Sequence, residues 1–175
     1  MQLRPATYWH LASRNSLIFN NAHFAKGYVQ SISAIAVGEM AGCTTLYAAA
    51  GAEQRKEDIF ETVRAKRFPH LPSRSKALFC FNSRVDAERA YIEWFNGANK
   101  ELVELSIAED AVIHTADSRL LNAAESEWEN RANLYWTGAS TDDPLFETIV
   151  HGHVFFPGWQ EKPFGMLDPR QFRPA

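Results

Sequence analysis

Short apolar runs alternate with segments of helical periodicity along this chain, and that alternation confines it to a mixed α/β or α+β domain. A run such as Ala77 to Phe81 is too short for a helix and apolar enough for a buried strand. Elsewhere apolar residues recur three and four positions apart, the spacing of a helix with one buried face. No internal repeat or low-complexity block interrupts the pattern. With 175 residues, the chain is expected to form a single domain over 1–175, large enough to bury roughly 70% of the surface it exposes when unfolded.

Thr7 to Leu11 reads as the first strand, with Ser13-Arg14-Asn15 as the turn after it. From Ala22 to Ala52 small residues and scattered aromatics give no single period, leaving helix and loop both open. Glu53 to Lys66 places Ile59, Phe60 and Val63 on one face of an amphipathic helix that Pro69 stops. A stiff loop with two prolines leads to the strand Ala77 to Phe81. Asn82 or Ser83 caps the next helix, whose face is Ala87, Ala90, Tyr91 and Trp94 and whose stop is Gly97. Glu101 to Ile107 and Val112-Ile113 read as strands, and Asp117 to Tyr135 as a helix ended by Gly138. Glu147 to Phe156 is a strand bent at Gly152, and the tail from Pro157 wraps the surface.

A net charge of −3 argues against a surface built to wrap nucleic acid, although Lys56, Arg64, Lys66, Arg67 and Arg74 are candidates for a local basic patch. Cys43 and Cys80 lack metal-ligand spacing, and Cys80 sits in an apolar run that points it into a core. The opening residues hold no signal-peptide run, and no run is long enough to span a membrane. The expected location is therefore cytoplasmic, short of export by a route that leaves no N-terminal mark. The Walker glycine loop, the GxGxxG fingerprint, the GxSxG elbow and the HExxH helix are all missing, which removes several common enzyme classes.

Among the histidines, His10 follows two aromatics on an early strand, where an imidazole can bond a ribose hydroxyl; its plainer role is a structural histidine satisfied by a carbonyl. Glu147 begins the last apolar strand, where a carboxylate suits charge developing at a breaking glycosidic bond; the plainer role is a solvated edge charge. Arg74, between a proline loop and a strand, suits a pyrophosphate or an ordinary surface. His151 and His153 share a strand face as a metal pair would, but no third ligand stands at a persuasive spacing, so no metal is expected. Trp128, Tyr135 and Trp136 read as core or rim aromatics.

Taken in order, these segments resemble the ADP-ribosyltransferase superfamily, and within it a bacterial and phage group. Tyr8-Trp9-His10 is similar to the Tyr-x-His of its early strand. ALFCFNSRVDAERAYIEW, preceded by PSR, resembles its middle strand and helix, and PLFETIVHGHVFF its closing strand with the catalytic glutamate. The resemblance implies an α+β fold of two small antiparallel-rich sheets flanked by helices around an NAD cleft. It implies NAD as substrate, with His10 and Tyr8 at the ribose, Phe79 under nicotinamide, Arg74 near phosphate, Ser83 beside them and Glu147 as the catalytic carboxylate. Phe79 stands where relatives carry a tyrosine, and Leu145 where arginine-modifying members carry Glu or Gln, so an arginine acceptor is disfavoured. The implied activity moves ADP-ribose to an acceptor on a protein or nucleic acid and releases nicotinamide. A catalytically inactive NAD-binding or protein-interaction module, and an NAD glycohydrolase, are the alternatives.

Overall fold

The computed structural model describes residues 1–13, 16–45, 53–96 and 100–161. Strand β1 spans Leu3–Ser13, longer at both ends than the expected Thr7 to Leu11, because it pairs antiparallel with β4 (Lys100–Ala108) from Thr7 to Ser13 and again at Leu3, across a register shift. Helix α1 (Leu17–Phe24) follows, capped by Ser16, whose hydroxyl accepts from Ile18 N–H. The undecided segment then yields β2 (Tyr28–Gln30), the short helix α2 (Ile32–Ile35) and a 3₁₀ turn at Gly38–Met40. Positions 46–52 of that segment, the expected turn residues Arg14 and Asn15, the helix stop Gly97 and the tail 162–175 lie outside the described residues.

Helix α3 (Gln54–Arg67) lies within a residue of the expected span and buries Phe60 and Val63. Strand β3 (Leu78–Cys80) comes next, then α4 (Arg84–Phe95), whose first turn Ser83 caps by accepting from Asp86 N–H at 3.3 Å. Such a cap is worth about 1 kcal/mol. Asn96, in the left-handed region at φ 44°, ends α4.

The expected helix from Asp117 to Tyr135 needs correction. Asp117 closes strand β5 (Val112–Asp117), two 3₁₀ turns follow at Ser118–Leu121 and Glu125–Glu127, and only Trp128–Thr137 forms helix α5. The cause is the Asp117 carboxylate. It accepts from the N–H groups of Arg119, Thr141 and Leu145 and from the Thr141 hydroxyl, at 2.6–3.0 Å, which gathers the loop around the strand end. Gly138 ends α5 as expected, at φ 77°.

The last apolar stretch divides into β6 (Phe146–His151) and β7 (His153–Phe155). Gly152 lies between them at φ 135°, and a Cβ there would meet that of Ala111 at 2.8 Å, so only glycine suits this corner. The bend carries the chain from one sheet to another. The first sheet has the order β1-β4-β7-β2 and the second β3-β6-β5, all pairs antiparallel. His151 and His153 therefore belong to different sheets, which corrects the shared strand face assigned to them.

Among the described residues, one isolated bridge joins the sheets: Trp9 and Phe81 exchange both backbone hydrogen bonds at 2.8 Å. Side chains alternate across the joined surface with the strand period of two. Leu78, Cys80 and Val150 enter a core with Leu105, Ile107 and Phe156, whereas Phe79 and Ile149 face α3 and α5 in a second core around Phe60 and Trp136. A third cluster packs Phe81 and Leu145 beneath α4. Among the described residues, no helix is long and apolar enough to cross a membrane.

Candidate functional site

Among the described residues, a group of buried charge lies on the α3 and α5 side of the second sheet, and Arg74 is its centre. The Arg74 side chain is 3% exposed and the Glu147 side chain 5%. Burying a guanidinium this deeply requires partners for its N–H groups. Nε donates to Glu57 Oε2 at 3.0 Å and Nη2 to Glu57 Oε1 at 3.3 Å. Nη1 donates to the Tyr135 hydroxyl at 2.7 Å and to Glu147 Oε1. The Tyr135 hydroxyl in turn donates to the same Glu147 oxygen at 2.8 Å. The guanidinium carbon also lies 5.2 Å from the Phe79 ring centroid and 5.1 Å from that of Tyr135, within cation–π range of both.

Burial pulls the Arg74 pKa down, but Glu147, Tyr135 and Glu57 outweigh it and hold the group well above its ordinary value. Burial pushes the Tyr135 phenol well above its ordinary range; Arg74 opposes the shift and Glu147 reinforces it. Arg74 is thus fixed as a cation and Tyr135 as a neutral donor. Cys80 is fully buried, and burial, assisted by Glu147, raises its thiol far beyond the reactive range.

His10 belongs to the opposite face. Tyr8 and Ala12, two positions either side of it, lie in the first core, and the His10 ring is 6.1 Å from that of Phe156. Nδ1–H donates to the Phe79 carbonyl at 2.6 Å, and burial lowers the imidazole pKa, a shift that this hydrogen bond partly offsets. Glu147 has the parity of Ile149 and Leu145, in the second and third clusters. The imidazole and the carboxylate therefore do not face one another.

The six residues singled out at this site sort as follows. Arg74, Phe79 and Glu147 come together, and His10 meets the backbone carbonyl of Phe79. Tyr8 is a core side chain at 7% exposure, and the Ser83 hydroxyl is engaged in its cap. The candidate basic patch is reduced to two exposed cations: Arg74 is buried, Lys56 is buried beside Glu53 and Arg64 is bound to Glu61, whereas Lys66 and Arg67 remain exposed, the latter donating to the neutral Asn133. Glu57 is a member that residue type did not mark, and Tyr135, expected as a core or rim aromatic, is buried in the core and adds its hydroxyl to the group. A signal existed for Glu57, which stands three positions before the buried Phe60 on the inward face of α3.

Two grooves open beside α3 and the segment before β3. One of about 220 Å³ is lined by Gln54, Glu57, Asp58, Glu61, Arg74 and Ser75 among others; Glu57 is paired with Arg74 and Glu61 with Arg64, so Asp58 gives the lining its net negative charge, which disfavours anions. A larger one, of about 600 Å³, opens beside the proline loop at Pro69 and Pro72. Neither is lined by His10, Phe79 or Glu147. Among the described residues, no group of three or more His, Cys, Asp or Glu is placed to hold a metal ion.

Fold and site together define a two-sheet antiparallel α+β domain with an ion-paired arginine buried beside its seam. Residues 10–157 match the model of a family described as a protein of unknown function, DUF2441, and the chain belongs to that family. No curated protein matches it.

Proposed function

We propose that the chain is an ADP-ribosyltransferase-type domain in which Glu147 serves as a structural counter-ion, so that the protein takes up NAD, or a protein partner, without turnover. One observation carries this reading: the Glu147 carboxylate is spent on Arg74 and Tyr135, almost without solvent, on the face opposite His10. A carboxylate that is to hold a ribose hydroxyl and offset charge at the anomeric carbon needs access to that sugar. The engaged Arg74 guanidinium likewise has one of its five N–H groups left for a pyrophosphate.

A second reading, active transfer of ADP-ribose to a protein or nucleic-acid acceptor with NAD as substrate, has its own support. Trp9 pairs with Phe81, and β3 pairs with β6, so the strands of His10, Phe79 and Glu147 are neighbours at one level of the seam. Incubation of wild type and Glu147→Gln with NAD labelled in its adenylate part, with and without cell extract, separates the two. Silent wild type with calorimetric uptake of NAD supports the first reading. Nicotinamide release by wild type and its loss in Glu147→Gln support the second, and release without a labelled acceptor assigns water as acceptor. Absence of both uptake and release leaves the protein-interaction form of the first reading, which a partner retained by wild type and lost on disruption of this face would establish.

A further inference from the structure

The groove of about 600 Å³ lies at the far end of the second sheet from Glu147. Its strand residues, Val112 and His151, are paired at the edge where β5 begins and β6 ends, while Glu147 pairs with Ala116. Lys76, His70, His151, Ser33, Ser73 and Ser75 supply its polar lining. Arg64 and Glu61 also border it but neutralise one another: Nε reaches both carboxylate oxygens at 3.0 Å and Nη2 reaches Oε1 at 2.7 Å. The charge left unmatched is the Lys76 ammonium, which uses one N–H on the Ala41 carbonyl and has others to give.

The walls are held in place before any ligand arrives. Arg64 Nη1 donates to the carbonyls of Leu71 at 3.0 Å and Pro69 at 3.3 Å, fixing the proline loop. Ser33 N–H donates to the Lys76 carbonyl at 2.9 Å, and Lys76 N–H to that of Ser73 at 3.1 Å. The Ser73 and Ser75 hydroxyls lie 2.9 Å apart and can both turn outward when an acceptor is offered. Pro69, Leu71, Pro72 and Val112 add an apolar wall beside these donors. Such a division, a few convergent donors and one cation against an apolar surface, is that of a small-molecule site, and the volume falls within the usual range of roughly 300–1,000 Å³.

We infer that this groove binds a phosphate monoester carried on a small molecule with a flat apolar part, the phosphate at Lys76 and the apolar part against the proline wall. The inference stands apart from the reading of Glu147. Its test is a titration of the whole chain, at constant ionic strength, with inorganic phosphate and separately with adenosine monophosphate, following the imidazole Cε1–H resonances of all the histidines. His70 and His151 should move together with one dissociation constant, and the other histidines should stay in place. Adenosine monophosphate should bind more tightly than phosphate, whereas equal affinity would assign a free phosphate and overturn the claim for the apolar wall. Lys76→Met removes a charge-assisted hydrogen bond and should weaken binding about tenfold. His70→Gln, at an exposed position that the fold does not depend on, should weaken it to a smaller degree, with His151 as reporter. No movement up to about 20 mM of either compound, a level marking negligible affinity, overturns the site, as does an unchanged constant in both variants.

Discussion

Replacing Arg74 by methionine removes the buried cation from a set of three charges, Arg74, Glu147 and the half-buried Glu57, and tests whether the set holds the fold together. The variant leaves Glu147, with a side chain 5% exposed, facing Tyr135 alone, and leaves Glu57, 17% exposed, without its cation. Removing one partner of a buried pair costs about 3–5 kcal/mol, because the carboxylate left behind keeps its desolvation penalty and loses its compensation. Two features place the cost near the lower end, about 3 kcal/mol. Glu57 reaches solvent at the smaller groove, and the Tyr135 hydroxyl still donates to Glu147 at 2.8 Å. A domain of this size has about 5–15 kcal/mol in all, so the change is readily measured. The assay is urea unfolding followed by tryptophan fluorescence, comparing midpoints at unchanged slope. Arg74→Met with Glu147→Leu removes both charges and should recover at least about 1.5 kcal/mol relative to the single variant, since buried pairs are replaceable by apolar side chains. A single-variant cost under about 1 kcal/mol, or additivity of the two changes within about 0.5 kcal/mol, would refute the reasoning.

Other consequences follow from the same geometry. Asp117→Asn should destabilise by about 2–3 kcal/mol in the same unfolding assay, because a neutral amide cannot accept all four hydrogen bonds that the carboxylate takes from Arg119, Thr141 and Leu145. Burial raises the Asp117 pKa, but the Thr141, Leu145 and Arg119 donors outweigh it and hold the group below its ordinary value. Its contribution is therefore present above the ordinary aspartate pKa and lost as pH falls through the lowered one, so the variant should show a shallower loss of stability on acidification. Gly152→Ala combines φ 135° with a 2.8 Å approach to Ala111 and should cost more than about 2 kcal/mol, against about 1 kcal/mol for Gly138→Ala, where the nearest atom is 4.0 Å away; equal midpoints would contradict this. Burial lowers the pKa of both His10 and His114, partly offset by the carbonyls of Phe79 and Tyr135. Stability from these neutral imidazoles is present above the ordinary histidine pKa and lost as pH falls through the lowered values, and proton NMR titration should find both below the ordinary value.

How far the chain could be read in advance depended on how many residues each element buries. Helix α3 was legible because Phe60 and Val63 recur on one face, and α4 because Ala87 and Ala90 do, with Ser83 before them. Helix α1 buries only Phe19 and Ala22 over two turns, too few to display a period beside Asn20, Asn21 and His23. The overlong helix predicted from Asp117 has another origin. Leu120 and Ala132 are both buried, so the apolar spacing looks helical throughout, while the Asp117 carboxylate that breaks it acts through residues more than twenty positions away. At the candidate site, residue type marked Glu147 and Arg74 but not that they would neutralise one another. Their meeting depends on the register of β3 against β6, which residue type alone does not disclose.

That register also bears on why so costly a group is kept beside an apolar core. Glu57 lies on α3, Arg74 on the loop before β3, Tyr135 on α5 and Glu147 on β6, so one set of hydrogen bonds connects four separate segments. Apolar contacts would tolerate small displacements among them, because the hydrophobic effect has no direction. The charges do not. A one-residue slip of β6 against β3 would turn Glu147 toward Leu105 and Phe156 and present Thr148 to the guanidinium, which leaves a buried anion unpaired on one face and a buried cation with Glu57 as its one remaining carboxylate on the other. Breaking a buried pair typically costs about 3–5 kcal/mol while an intact one is near neutral against apolar side chains, so the network weighs against wrong pairings of the second sheet more than it adds to the right one.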